Sequence, residues 1–287
     1  MATGSTCTCE HGARELCLKQ RKCSGEDVSK TADERNVVCA LAGHGPCGGK
    51  TNGEHYVSQA VLRRLAPSEG ITISGTPWTA AGPKTVGKAA LTANIVCENH
   101  NSGLSGLDSI GGRWMASIQE AQLALASTSP RSQTHTFDGL KLERFFLKLA
   151  FMLWRSGNFA SAGEALKGVP PGIWADLLTA ATTFPPTWVL YVPISNAPFM
   201  TVDRQFSAMP LTGSDGSGIK AINFEMANVP FYLVLGNPDN QTQWGIRRPR
   251  QLDIGNDRDC HRLRLSWPEG QVGESVTMRR IGDPPTN

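Results

Sequence analysis

Four potential zinc ligands, in two pairs far apart along the chain, constrain the fold more than any other feature. Cys39 and Cys47 form the first pair, and Cys97 and His100 form the second. Thiolate and imidazole groups are the usual ligands of tetrahedral zinc, so two such pairs can close one structural site. A closed site would pin the two segments of chain that carry the pairs against each other. His44, inside the loop of the first pair, is a further candidate ligand.

Cysteine is concentrated at the amino-terminal end, where seven of the eight cysteines lie within the first 97 residues. Disulfide scaffolds are typical of small secreted domains, whereas this chain is long and shows no secretory leader, so metal binding is the better interpretation. Residues 1–36 form a Cys-rich segment that is too short to bury a core of its own. It is either a second zinc site or a flexible arm or cover with incidental thiols. The candidate ligands there are Cys7, Cys9, His11, Cys17 and Cys23.

The composition is that of a soluble globular protein. Of the 287 residues, 40% are hydrophobic and 18% are charged, and a chain of this length has room for two packed units. No run of about 18 apolar residues occurs, so we predict no membrane span and expect a cytoplasmic protein. The formal charge of +3, from 28 basic and 25 acidic side chains, permits a polyanionic partner without requiring one.

The first half of the chain predicts short strands and helices around the ligand pairs. Ser58 is a favourable N-cap for a helix over residues 59–65. Apolar residues at helical spacing predict a second helix over 101–126, with a break at the pair Gly111 and Gly112. Strands are predicted at 36–41, 54–57 and 95–96, and an irregular excursion over 67–87.

The second half predicts a helical segment followed by a sheet. The polar, proline-containing stretch 127–139 predicts a linker. Beyond it, apolar residues at three- and four-residue steps predict a core helix over 140–157, and a second helix is predicted over 172–182. Strand-like runs separated by turns then predict an antiparallel sheet. Its strands are expected at 187–193, 222–224, 229–236 and 262–267.

The motif around the ligand pairs resembles that of a known enzyme family. It reads Cys39…Cys47…Glu54-His55, followed by Cys97-x-x-His100-Asn101-x-x-Leu-Ser-x-Leu-Asp108. Paired zinc ligands around an acidic residue and a histidine, followed by an asparagine that opens a helix, are similar to the HNH endonucleases. These are the zinc-stabilised branch of the ββα-metal, or His-Me finger, group. The resemblance covers about residues 37–110.

The resemblance implies a metal-dependent nuclease in which His55 is the general base that takes a proton from the attacking water. Neutral imidazole is available at pH 7 because the unperturbed pKa of histidine is about 6.5. The resemblance also implies a catalytic Mg²⁺ or Mn²⁺ held by Glu54 and Asn101, with Asp108 within reach as a further carboxylate ligand. The implied structural zinc ligands are Cys39, Cys47, Cys97 and His100.

Taken together, the expected architecture is α+β, with a zinc-stabilised ββα-metal domain ahead of a helical segment and an antiparallel sheet. The Cys-rich segment 1–36 precedes this domain, which covers 37–126. The linker 127–139 then leads to an α+β accessory domain over 140–280, and 281–287 is expected to be a disordered tail.

The three candidate catalytic residues also have purely structural interpretations. His55 can be a core histidine or a zinc ligand, Asn101 can be an N-cap, and Asp108 can be a solvated helix residue. On that interpretation the protein is a catalytically inactive zinc-binding nucleic-acid adaptor, or a zinc-stabilised protein-interaction module.

Nucleic acid, with DNA as the expected substrate, would be held by arginines close to the motif, because phosphate contacts provide most of the affinity. Arg63 and Arg64 lie in the first predicted helix, and Arg113 lies in the second. The arginines between residues 247 and 264 are interrupted by Asp253, Asp257 and Asp259, and we expect most of them to form a solvated strand edge.

Overall fold

The computed structural model describes residues 39–65, 70–126, 132–161, 164–166, 168–193, 205–212, 218–236, 246–255, 260–269, 271 and 273–278. All of them belong to one compact unit, Val37–Asn287. The Cys-rich segment 1–36, with Cys7, Cys9, Cys17 and Cys23, and the tail 281–287 lie outside the described residues. Among the described residues there are four α-helices and several sheets, which confirms the α+β class.

The centre of the site is a two-stranded antiparallel sheet that leads directly into the longest helix. Strand β1 (Thr51–His55) pairs with β4 (Thr92–Cys97), and His55 lies opposite Thr92. Helix α2 (Glu98–Ala126) begins at the residue after β4, and the short helix α1 (Gln59–Leu65) packs against it.

The predicted excursion over 67–87 contains two strands that join the largest sheet. Strand β2 (Ile71–Ser74) pairs with β3 (Lys84–Val86), and its other edge pairs in parallel with β9 (Gln205–Thr212). Short 3₁₀ turns cover Pro77–Thr79 and Lys88–Leu91. The other strands of this sheet are β8 (Leu190–Pro193), β10 (Ile219–Met226), β11 (Val229–Val234) and β12 (Ile246–Arg247). The sheet order is β12-β8-β11-β10-β9-β2-β3, so residues from both predicted domains share one sheet.

The predicted linker 127–139 also contributes a strand. Residues Gln133–Asp138 form β5, which runs parallel to β14 (Cys260–Ser266) at the edge of a four-stranded sheet. The order of this sheet is β15-β13-β14-β5, with β13 at Pro249–Gly255 and β15 at Glu274–Met278. The predicted antiparallel sheet is therefore wrong in part, because β13 pairs in parallel with β15, and β2 and β5 from the first half of the chain also pair in parallel.

Helix α3 (Gly139–Arg155) confirms the predicted core helix and lies against α2, β5 and β11. Asp138 caps its start by accepting a hydrogen bond from the backbone of Lys141, which satisfies one free amide of the first turn. Helix α4 (Gly172–Leu178) is shorter than predicted. Ala180, two residues beyond it, has a φ of 60°, which is incompatible with a right-handed helix. A short hairpin, β6 (Ala160–Ser161) and β7 (Glu164–Ala165), lies between the two helices.

A continuous aromatic core joins the helices to both large sheets. The ring of Trp114 on α2 lies 5.0 Å from that of Phe137 on β5 and 5.9 Å from that of Phe231 on β11. Phe146 on α3 lies 5.3 Å from Phe231. Because these side chains pack together, the segments that the sequence divides between two domains form one hydrophobic core. Among the described helices, none is both long and apolar enough to cross a membrane.

The predicted break at Gly111 and Gly112 is wrong, because α2 continues through both residues. A Cβ atom on Gly111 would overlap the ring of Phe145, and one on Gly112 would lie 2.7 Å from the Cβ of Ala60. The two glycines therefore allow α3 and α1 to approach α2 closely. They also lower the intrinsic helix propensity of this part of α2.

We expect Gly111→Ala to destabilise the protein by about 1–3 kcal/mol, because the added methyl group forces the Phe145 ring or the helices apart. Gly106→Ala, in the same helix and facing open space, should instead stabilise it by about 0.5–1 kcal/mol through helix propensity. Urea unfolding of the two variants measures the difference. Equal stability of the two variants would contradict the close packing described above.

Candidate functional site

Backbone hydrogen bonds hold the four predicted zinc ligands in place. The amide of Ala40 donates to the carbonyl of Ile95 at 2.8 Å, which fixes Cys39 beside β4. The amides of Glu98 and Asn99 donate to the carbonyls of Lys50 and Gly48, at 3.2 and 3.3 Å. The loop that carries Cys47 is thereby fixed against the first turn of α2. Cys97 ends β4, and His100 lies in that first turn.

The ligand atoms of Cys39, Cys47, Cys97 and His100 all lie within 4.8 Å of one another. The Nδ1 atom of His100 is 3.3 Å from the sulfur atoms of Cys39 and Cys97 and 3.6 Å from that of Cys47. Zinc bond lengths in tetrahedral sites require sulfur–nitrogen separations of roughly 3.5 Å. The prediction that these side chains converge is confirmed, and the donor set fits a structural zinc ion.

The electrostatics of the cluster also suit a bound cation. Hydrogen bonds from the amides of His100 and Gly48 lower the pKa of the Cys97 thiol to about 6, which favours the thiolate that a metal needs. Desolvation and the neighbouring sulfur atoms of Cys39 and Cys97 raise the pKa of Cys47 to about 11. A divalent cation among the three sulfur atoms would remove this mutual repulsion.

The geometry assigns Nδ1 of His100 to the metal. Its Nε2 atom is buried without a hydrogen-bond partner among the described residues, and a Cβ atom on Gly45 would lie 3.3 Å from it. His44, the spare candidate ligand, points elsewhere: its Nδ1 atom pairs with the carboxylate of Asp176 on α4 at 2.8 Å. The loop that carries His44 and Cys47 is therefore linked to α4 as well as to α2.

His55, the candidate base, is the last residue of β1 and is half-buried. Burial lowers its pKa below the ordinary value of 6.5; Arg63 adds to this effect, and the carboxylates of Glu54 and Asp108 oppose it. Within the described part of the chain, the ring makes no hydrogen bond with another residue. A neutral, half-exposed imidazole with charged neighbours can accept a proton from a bound water.

Glu54 and Asp108, two of the three predicted ligands of a divalent ion, do come together, but they do so around a lysine. The ammonium nitrogen of Lys148 lies 3.1 Å from Oε1 of Glu54 and 2.7 Å from Oδ2 of Asp108. The lysine side chain is only 2% exposed, and the carboxylates are 12% and 23% exposed. A divalent ion in the predicted position does not fit this arrangement, because a buried ammonium group already pairs with both carboxylates.

Lys148 is the functional candidate that the sequence interpretation missed. It lies within the nine-residue run Phe145 to Leu153 of α3, and the remaining eight side chains of that run are all apolar and buried. This interruption of an apolar run is the available signal, because a lysine is almost never fully buried without a charged partner.

Asn101 is half-buried and lies in the fourth position of α2. The helix begins at Glu98 and not, as predicted, at residue 101. The alternative role of Asn101 as the N-cap is therefore wrong. The role of Asn101 as a ligand of a divalent ion stays a prediction.

The arginines divide into exposed and paired groups. Arg63, Arg64 and Arg113 are exposed; Arg63 donates to Gln59 at 2.8 Å, and Arg113 lies 5.5 Å from the centre of the Phe137 ring. Three of the later arginines pair with carboxylates of the protein, and Arg248, only 12% exposed, does not belong to the solvated strand edge that the sequence predicts. The pairs are Arg247 with Glu274, Arg248 with Glu143, and Arg262 with Asp253.

Comparison of this chain with protein-family models, curated proteins and solved structures finds no match.

Proposed function

We propose that this protein is a zinc-stabilised endonuclease of the HNH type, in which His55 acts as the general base. The observation that carries the proposal is the position of a neutral, half-exposed histidine at the end of β1, in the segment that the Cys39–Cys47–Cys97–His100 cluster clasps to α2. A structural zinc ion in this cluster, when bound, supplies a crosslink between two distant parts of the chain.

In the proposed reaction, His55 takes a proton from a water molecule as that water attacks the phosphorus atom. The phosphorus–oxygen bond on the far side breaks, and the leaving oxygen is protonated from solvent. Burial keeps the imidazole neutral by lowering its pKa, so the base is available at pH 7. No step uses a divalent ion between Glu54 and Asp108, because Lys148 occupies that position.

Nucleic acid would be held by the exposed arginines of α1. Arg63 is close enough to His55 to lower its pKa, and Arg64 is its neighbour on the same exposed end of the helix. A phosphate bound by these guanidinium groups would lie near the imidazole, and its affinity would fall steeply with salt.

We expect His55→Ala to reduce cleavage of plasmid DNA or of RNA by about 10²–10⁴-fold, the usual contribution of a general base. His135→Ala is the matched control, because His135 is also half-buried and lies near a carboxylate, Glu120 at 3.6 Å, but belongs to β5. Cleavage by the wild type should rise with pH through a value below 6.5. Undiminished cleavage by His55→Ala would refute the assignment of the base.

The second candidate is a nucleic-acid adaptor without catalysis. The Lys148 ion pairs favour it, because they engage the carboxylates that the resemblance assigns to a catalytic metal. An adaptor would bind nucleic acid with the same steep salt dependence but would cleave neither DNA nor RNA.

A further inference from the structure

We propose that the ammonium group of Lys148 permanently replaces the divalent ion of the candidate active site, so that Glu54 and Asp108 bind neither Mg²⁺ nor Mn²⁺ in the folded protein. This inference rests on the proposed function for its catalytic meaning. The ion-binding property itself can be tested without any cleavage assay.

The first support is the geometry of the three charged groups. One ammonium lies between two carboxylates at 3.1 and 2.7 Å, distances at which it donates a charge-assisted hydrogen bond to each. Lys148 engages one oxygen atom of each carboxylate, Oε1 of Glu54 and Oδ2 of Asp108, whereas Oδ1 of Asp108 is buried without a hydrogen-bond partner among the described residues. Magnesium requires oxygen ligands at about 2.0–2.1 Å in a near-ideal octahedron, so an ion bound by both carboxylates would have to lie close to the ammonium group that already joins them.

The second support is the confinement of Lys148. Its neighbours Leu147 and Leu149 on α3 are 0% and 1% exposed, and the helix is packed against α2 and β11. The Lys148 side chain is itself only 2% exposed, so it would have to leave the core for an ion to take its place. The positive charge is therefore fixed within the fold and is not supplied from solution.

The third support is the charge balance. Two carboxylates and one ammonium leave one net negative charge in this group. A divalent ion entering this group would come close to the ammonium and be repelled by it in a poorly solvated environment. In the proposed nuclease, cleavage would consequently need no ion beyond the structural zinc.

The test measures Mn²⁺ binding to zinc-loaded, full-length protein by electron paramagnetic resonance of the free ion. We expect no Mn²⁺ site that depends on Asp108 in the wild type. Lys148→Met should gain one such site. Its affinity for Mn²⁺ should exceed that of the wild-type protein by at least about a hundredfold, because a unit positive charge within about 4 Å has been removed. The gained site should disappear in the double variant with Asp108→Asn. Lys141→Ala is the matched control, since Lys141 lies on the same helix but is 61% exposed.

A wild-type Mn²⁺ site that Asp108→Asn abolishes would overturn the inference. So would Lys148→Met that folds without gaining a site. If Lys148→Met does not fold, the comparison of the wild type with Asp108→Asn and Glu54→Gln decides the question by itself, because the inference requires the same absence of binding in all three.

Failure of the inference and failure of the proposed function give different results. Cleavage that requires Mn²⁺, together with Asp108-dependent binding of Mn²⁺, overturns the inference and keeps the nuclease. Absence of cleavage under all conditions overturns the nuclease, while absence of Mn²⁺ binding by the wild type still supports the role of Lys148.

Discussion

Cys97→Ser is expected to unfold the centre of this protein, not only to lower an activity. Cys97 ends β4 and lies 3.3 Å from the Nδ1 atom of His100, so serine would remove one of the four ligands. Structural zinc sites contribute roughly 10 kcal/mol or more to folding, which is comparable to the whole stability of an ordinary domain. Circular dichroism and zinc analysis of the purified variant measure the loss.

Cys260→Ser is the matched control for that experiment, because Cys260 is a half-buried free thiol in β14 outside the cluster. It should retain zinc and change stability by less than about 1 kcal/mol. Removal of zinc from the wild type by a chelator should reproduce the effect of Cys97→Ser. A Cys97→Ser protein with native circular dichroism and thermal stability would contradict the structural role of the cluster.

Above pH 7, where Glu143 is ionised, Arg248→Ala is expected to cost about 3–5 kcal/mol, because it leaves the carboxylate of Glu143 buried without its positive partner. Glu143 is 0% exposed and accepts hydrogen bonds from Arg248 and from the amide of Leu190, both at 3.1 Å. The guanidinium also stacks 3.9 Å above the ring of Trp267. Arg247→Ala is the neighbouring control: its partner Glu274 is exposed and Arg247 itself is half-exposed, so this ion pair should contribute less than about 1 kcal/mol. Urea unfolding compares the two.

The buried pair of Glu143 and Arg248 also predicts that the stability of the protein depends on pH. Burial raises the pKa of Glu143 to about 7, against the opposing effect of Arg248. The folded protein therefore binds a proton between the unfolded value of 4.5 and about 7 that the unfolded chain has released. The free energy of unfolding should fall as pH rises through this window, and Glu143→Gln should abolish the fall.

Equal losses of unfolding free energy in Arg247→Ala and Arg248→Ala would contradict the prediction that the buried pair of Arg248 and Glu143 stabilises the fold more than the pair of Arg247 and Glu274.

The parts of the structure that the sequence predicted are those with local or chemical signals. Cys39, Cys47, Cys97 and His100 are identifiable because metal chemistry restricts which residues can serve. Helix α3 is identifiable because its apolar residues repeat at helical spacing. Neither signal requires knowledge of a distant partner.

The parts that the sequence did not predict depend on distant partners. Strand β5 looks like a polar linker because its pairing partner β14 lies more than a hundred residues later. The same holds for β2, which pairs with β9. Lys148 looked like one position in an apolar stripe, and only the fold shows that Glu54 and Asp108 meet it. Gly111 looked like a helix break, whereas the nearby Phe145 ring explains it as a packing position.

The pairing of β2 with β9 has a consequence for biosynthesis. His100 leaves the ribosome well before Gln205, the first residue of β9, an interval of roughly 5–20 s at ordinary rates of translation. The complete set of zinc ligands is thus available to a nascent chain whose large sheet still lacks its central strands. Zinc can therefore bind to the growing chain before its largest sheet is complete.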